Sequence, residues 1–147
     1  MRFLLITLLS SFLFTGLQWG NDLEKAKQTA RDQHHYILLN FSGSDWCAPC
    51  IRLHRNIFES DIFEKYAKDQ LVLVNADFPR LKKNQLPKEQ QQKNDAMADK
   101  YNNGGAFPLT LLLDANGNVI KKWDGDVIVS PQDFVNQIKT ATDAGKQ

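Results

Sequence analysis

Only two of the 147 residues are cysteine, and they stand close together as Cys47 and Cys50. That spacing excludes the distributed disulfide framework that staples small secreted domains, so the fold must stand on a hydrophobic core. An excess of either charge is also missing. Lys and Arg total 18 against 17 Asp and Glu, and Arg2 is the only charged residue in the first twenty, which leaves 17 against 17 beyond it. A body this neutral speaks against nucleic acid as the main partner. There is no internal repeat, no low-complexity tract and no proline-rich linker, and a chain of this length holds one core of useful size. A single domain over 21–147, working as a monomer, is expected.

The one long uncharged stretch lies at the start. Met1-Arg2 is followed by an apolar run from Phe3 to Phe14 that carries no charge and falls short of a comfortable membrane span. A positive start before such a run is how a secretory signal is built, so 1–20 reads as a signal peptide or a retained N-terminal membrane anchor. Either form sends the protein out of the cytoplasm, to the periplasm or cell envelope. Gly16 and Gly20 are small, but no Ala-x-Ala site precedes either.

Beyond the leader, Asn21 to His34 is charged and Ala-rich, with Leu23, Ala26 and Ala30 spaced for one helical face and Asn21 as the expected cap. Tyr36 to Phe41 is a short, nearly continuous apolar run, as expected of a strand buried on both faces of a sheet. Ser42 to Asp45 breaks it into a loop. Ile51, Leu53, Ile57 and Phe58 then fit a helix that breaks near Ser60-Asp61 and continues through Tyr66, and Leu71 to Val74 is the next strand. The polar stretch from Phe78 to Gln92 reads as a loop entering a solvated helix that ends near Tyr101. Leu109 to Leu113, a turn at Asp114-Ala115-Asn116-Gly117 and Val119 to Trp123 form an antiparallel hairpin. Ser130-Pro131 caps a last helix carrying Phe134, Ile138 and Ala141. The order α, β, α, β, α, β, β, α predicts an α/β fold, a central sheet covered by helices on both faces.

Trp46-Cys47-Ala48-Pro49-Cys50 follows the buried strand and opens a helix. The first sulfur thereby meets unsatisfied backbone N–H groups and the positive end of the helix dipole, which favour a thiolate. Cys47 is the expected nucleophile. Cys50, a turn further in and expected to be less exposed, is placed to attack a mixed disulfide and resolve it. Half a zinc site has the same spacing, but His34 and His35 precede the strand, His54 lies further down the helix and no second cysteine pair exists. No metal is expected, and no cofactor beyond the Cys47–Cys50 disulfide.

These residues resemble the thioredoxin superfamily, whose hallmark is Trp-Cys-Gly-Pro-Cys between a strand and a helix, with Ala48 here in place of the glycine. Gly105-Ala106-Phe107-Pro108 before the apolar strand is similar to the family's cis-proline loop. Asn40 to Cys47 and Phe107 to Asp114 resemble the exported bacterial branch and the periplasmic domains of disulfide reductases. The resemblance spans about 21–144 and implies a thioredoxin fold with a mixed sheet and an N-terminal helix. It also implies a cis bond at Pro108, which with Phe107 and Trp46 would receive substrate, and spacers Ala48 and Pro49 that tune the redox pair. The implied activity is thiol-disulfide exchange on proteins, with disulfide-containing proteins as substrates and a membrane thiol reductase as electron donor. Ala48-Pro49 is closer to the Gly-Pro of reducing members than to the Pro-His of strong oxidants, which favours a reductase.

The pattern departs from the family at one place. Thioredoxins carry a buried aspartate on the strand before the motif, where this chain offers Asn40 or Phe41, neither of which accepts a proton as a carboxylate does. Water is then the expected proton acceptor. The rival from another class is a non-catalytic thioredoxin-fold binding or chaperone module in which the cysteines form a structural disulfide.

Overall fold

Strand β2 (Tyr36–Ser42) is the centre of the structure, and its sequence says why. Ile37, Leu39 and Phe41 point to one face and Leu38 to the other, so both faces of the strand are apolar and both are covered. A computed structural model describes residues 17–145 and shows a five-stranded sheet in the order β1-β3-β2-β4-β5. The other strands are β1 (Trp19–Gly20), β3 (Leu71–Asp77), β4 (Leu109–Leu113) and β5 (Val119–Asp124). β1 and β2 run parallel to β3, whereas β4 runs antiparallel to both β2 and β5, giving a mixed sheet.

Helices cover both faces, as the element order predicts. On one face α1 (Leu23–Gln33) and α4 (Lys88–Tyr101) contribute Leu23, Ala26, Ala30 and Met97, packed on Ile37, Leu39, Phe41 and Val74. On the other, α2 (Ala48–Leu53) runs on through a π-helical turn at His54–Phe58, and α3 (Asp61–Gln70) and α5 (Pro131–Ala144) pack beside it. Phe58, Phe63, Trp123 and Phe134 form an aromatic cluster there, with centroids 4.9 to 6.1 Å apart.

The local signals act as expected at most junctions. Ser60 and Ser130 cap α3 and α5 by accepting the N–H of Phe63 and Asp133, and Pro131 takes the first helical position, where no donor is needed. In the hairpin, Asp114 accepts the N–H groups of Asn116 and Asn118, and Gly117 adopts φ 89°, where a side chain would also strike Lys27 and Tyr101.

Three boundaries differ from the sequence reading. The cap of α1 is Asp22, not Asn21, because its carboxylate accepts the Lys25 N–H at 3.0 Å and its charge suits the positive helix end. Helix α4 begins at Lys88, earlier than the polar composition suggests, since only Asn94 and Met97 of its residues are buried and few apolar positions mark the helix. Trp19–Gly20, read as part of the leader, pair with Leu73 and Val74 as a short edge strand, and Trp19 packs against Phe58. Residues 1–16 of the expected signal or anchor segment lie outside the described residues.

Phe134 is fully buried and touches Phe58, Phe63 and Trp123. Phe134→Ala is expected to cost about 3–5 kcal/mol of stability, measured as a lower urea midpoint with an unchanged slope.

Candidate active site

At the end of β2 the chain turns sharply. Trp46 and Cys47 both donate their backbone N–H to the carbonyl of Gly43, and helix α2 starts at once. Cys47 is the cap residue of that helix, with its sulfur accepting the Cys50 N–H at 3.2 Å, and Pro49 sits in the first turn, where its missing donor is no loss. Cys47 and Cys50 are joined by a disulfide with Cα atoms 5.2 Å apart. Burial does not separate the two as the sequence reading expects: Cys47 is 4% exposed and Cys50 3%. Their difference lies in hydrogen bonding, since the Cys47 sulfur takes the capping position at the positive helix end.

The Phe107–Pro108 bond is cis, as the resemblance implies. Asn102 shapes the loop before it by donating to the Ala106 carbonyl and accepting the Ala106 N–H, both at 2.9 Å. The Trp46 ring meets Phe107 edge-on with centroids 5.3 Å apart, and Phe107 meets Phe78 at 5.5 Å. The expected site residues therefore sit on two neighbouring stretches at one end of the sheet, Trp46 and Cys47 in the turn before α2 with Ala48, Pro49 and Cys50 in its first turn, and Phe107 and Pro108 in the loop before β4.

Beneath α2, the row where thioredoxins hold a carboxylate is neutral. Asn40 lies on the α2 face of β2, in line with Leu38, while Phe41 points to the opposite core, so Asn40 takes that place. Register pairs it with Asn75 on β3 and Thr110 on β4. The Asn40 amide donates to Asn75 at 2.9 Å, and the Thr110 hydroxyl donates to the Asn40 carbonyl oxygen at 3.0 Å, satisfying the buried Asn40 and Thr110 through a row across three strands whose Asn75 end is half-buried. Asn75 and Thr110 escape the sequence reading, although an asparagine inside two otherwise apolar strands is a usable signal, because such residues are disfavoured there unless paired. A cleft of about 380 Å³ opens beside this row, with Ser42, Cys50, His54, Glu59 and Asn75 in its wall. His54 lies 3.2 Å from Glu59 and packs on Trp19 and Phe58.

Asp45 has a sharper task than the sequence suggests. Its carboxylate accepts the N–H groups of Arg80 and Leu81 at 2.9 and 3.0 Å and the Asn84 amide at 3.0 Å, tying the segment after β3 to the cysteine loop. The Trp46 indole N–H donates to the Phe78 carbonyl at 2.7 Å, and the Arg80 guanidinium lies 3.6 Å above the Trp46 ring. No group of three or more His, Cys, Asp or Glu residues able to hold a metal occurs among the described residues.

A family model for a thioredoxin-like domain matches residues 23–142. The chain belongs to that thioredoxin-like family. Disulfide bond reductase DsbH of Chlamydia pneumoniae is 38% identical over 106 residues, which are 72% of this chain and 61% of that protein. Thioredoxin-related protein DsbJ of the same organism is 30% identical over 83 residues, 56% of this chain and 23% of that protein. The chain thus spans less than two thirds of the length of these curated relatives. A solved structure of DsbH oxidoreductase superposes with a TM-score of 0.77 at 32% identity, covering 86% of this chain and 84% of that one. The thioredoxin fold follows from both matches.

Two consequences are measurable. Gly43 lies against the indole of Trp46, so a Cβ there would overlap the ring. Gly43→Ala is expected to push the indole out, break its bond to Phe78 and cost about 1–3 kcal/mol, visible as a shifted, faster-exchanging Trp46 indole N–H signal. The Arg80 N–H, helped by Asn84 and Leu81, holds the Asp45 carboxyl below the usual carboxylate range. Because the folded value is lowered, this tie is complete above the ordinary value of about 3.9 and is lost as pH falls through the lowered value. Acid titration is expected to move the Arg80 and Leu81 amide resonances only in that range, and Asp45→Ala to give the acid spectrum of this segment at neutral pH.

Proposed function

We propose that this chain is a protein thiol-disulfide oxidoreductase that acts as a disulfide reductase in the cell envelope. The observation that carries the reading is the bonded Cys47–Cys50 pair at the start of α2, with Cys47 as the cap whose sulfur accepts a backbone N–H. The 38% identity to a disulfide bond reductase and the TM-score of 0.77 to a DsbH oxidoreductase support the same chemistry. The charge-free apolar run near the start supports export. Among the described residues no helix is long and apolar enough to cross a membrane.

In the reduced protein the backbone donors at the helix start favour the Cys47 thiolate. It attacks one sulfur of a substrate disulfide, forming a mixed disulfide and releasing the other substrate sulfur as a thiolate, which takes a proton from water. Cys50 then loses its proton and attacks the Cys47 sulfur, releasing the second substrate thiol and closing the Cys47–Cys50 bond. Two electrons pass from the protein to the substrate, and an external thiol donor, in this reading a membrane reductase, returns them. Asn40 is a neutral amide and cannot take the Cys50 proton. The cleft that Cys50 shares with Ser42 and Asn75 supplies water for that role. Trp46, Phe107 and Pro108 form the face that meets the substrate, and Ala48 and Pro49 set the balance between dithiol and disulfide.

Cys47→Ser is expected to abolish reduction of disulfide-bonded proteins, and Cys50→Ser to accumulate mixed disulfides visible on non-reducing gels. Equilibration in dithiothreitol buffers should place the pair near the thioredoxin value of about −270 mV. A potential near about −120 mV would reverse the direction to oxidation. A pair that no donor reduces would leave a structural disulfide.

A further inference from the structure

The segment from Phe78 to Lys88 carries Arg80, Lys82, Lys83 and Lys88 and no acidic residue, in a chain whose net charge is only +1. The remainder of the chain is therefore net acidic. All four cations are exposed, and among the described residues none of them forms an ion pair. Arg80 stacks on Trp46, but fold stability does not account for the placement of the three lysines. Lys82 and Lys83 are adjacent like charges, and Lys88 occupies the first residue of α4, where the positive helix end favours an acid.

What singles the segment out is where it is held. Asp45 and Trp46, the two residues before Cys47, hold it by three hydrogen bonds to the Asp45 carboxylate, the indole bond to Phe78 and the stack of Arg80 on the Trp46 ring. That ring in turn lies against Phe107, next to Pro108. The stretch from Phe78 to Asn84, which carries Arg80, Lys82 and Lys83, is thus fixed beside Trp46, and Lys88 follows at the start of α4. Of the acids nearby, Asp45 and Asp77 are turned inward, Asp45 onto this segment and Asp77 onto the N–H and hydroxyl of Ser44, Glu89 beside Lys88 pairs with Lys93, and Glu59 lies near His54 in the cleft that Cys50 lines.

We propose that this segment is an electrostatic docking strip for an acidic polypeptide stretch that adjoins the substrate's disulfide. The proposal rests on the oxidoreductase reading for the purpose of docking, but not for its test. Single exposed charges contribute little, whereas several of one sign beside a site raise the local concentration of an oppositely charged partner and select its register. An extended segment laid across Trp46 and Phe107 places its flank over Arg80, with Lys82 and Lys83 further along the same strip.

The test uses the oxidised protein and three extended peptides of one sequence, each with serine in place of the reacting cysteine and flanked by Glu, Gln or Lys. Binding is followed by amide shifts and titration. The Glu peptide is expected to bind about tenfold or more tightly than the Lys peptide, with shifts at 78–88 and at Asp45 and Trp46. The preference should vanish near 1 M salt, where the screening length is about 3 Å, and in the K82Q/K83Q/K88Q variant. Equal affinity for the three peptides would overturn the proposal, as would a preference that survives in the folded triple variant. So would tighter binding to phosphatidylserine vesicles than to the Glu peptide. Since the peptides hold no cysteine, this outcome is separate from the turnover of the Cys47→Ser protein, which decides the oxidoreductase reading.

Discussion

Strand β2 delivers its last residues from a position covered on both faces into a tight turn, and the geometry of the site follows from that constraint. Neighbouring strands hold it in register from Ile37 to Phe41 on both sides, so the point where the chain leaves the sheet is fixed. The Gly43 carbonyl then gathers the N–H groups of Trp46 and Cys47, and the helix begins with its donors aimed at the first sulfur. A strand free on one face could slip or twist; one packed against Ala30 and Met97 on one side and Phe58 and Phe134 on the other cannot do so without breaking both cores. The rigidity of the cysteine pair's setting is thus a property of the whole sheet.

The same constraint makes the buried polar row tolerable. Asn40 sits at the one level of β2 where register brings polar partners from both neighbouring strands, Asn75 and Thr110, so its amide is satisfied without a charge. A carboxylate at this depth would need a pKa far from its ordinary value or a charged partner. The neutral row avoids that requirement, and the cleft that adjoins it reaches Cys50.

How much of this is legible in the sequence depends on the kind of residue. The Cys47–Cys50 pair, Pro108 and the apolar run of β2 are readable because each carries its own local signal: a motif, a turn residue, an unbroken hydrophobic stretch. The break at Ser60 and the helix cap at Ser130 are legible for the same reason. Asn75, Thr110 and the reach of Asp45 to Arg80 and Leu81 are not, because their meaning depends on residues 35 to 70 positions away that only the fold brings together. Trp19–Gly20 is lost for another reason. A two-residue edge strand has no periodicity to detect, and an apolar leader just before it claims its residues.

The polar segment after β3 shows where composition misleads most. Lysines and glutamines in a row read as a solvated surface, and taken alone that is what they are. Their position changes the reading, because one carboxylate, Asp45, spends its acceptor capacity on two backbone N–H groups and an amide of this segment and on none of its cations. An acid that neutralised Arg80 or Lys82 would cancel the field at the rim of the site. One that binds only main-chain and amide donors fixes the segment in place and leaves its cations exposed, with none in an ion pair among the described residues. The anchoring and the charge are thus separate features of one loop, and only their combination turns a solvated stretch into a surface with a defined place and sign.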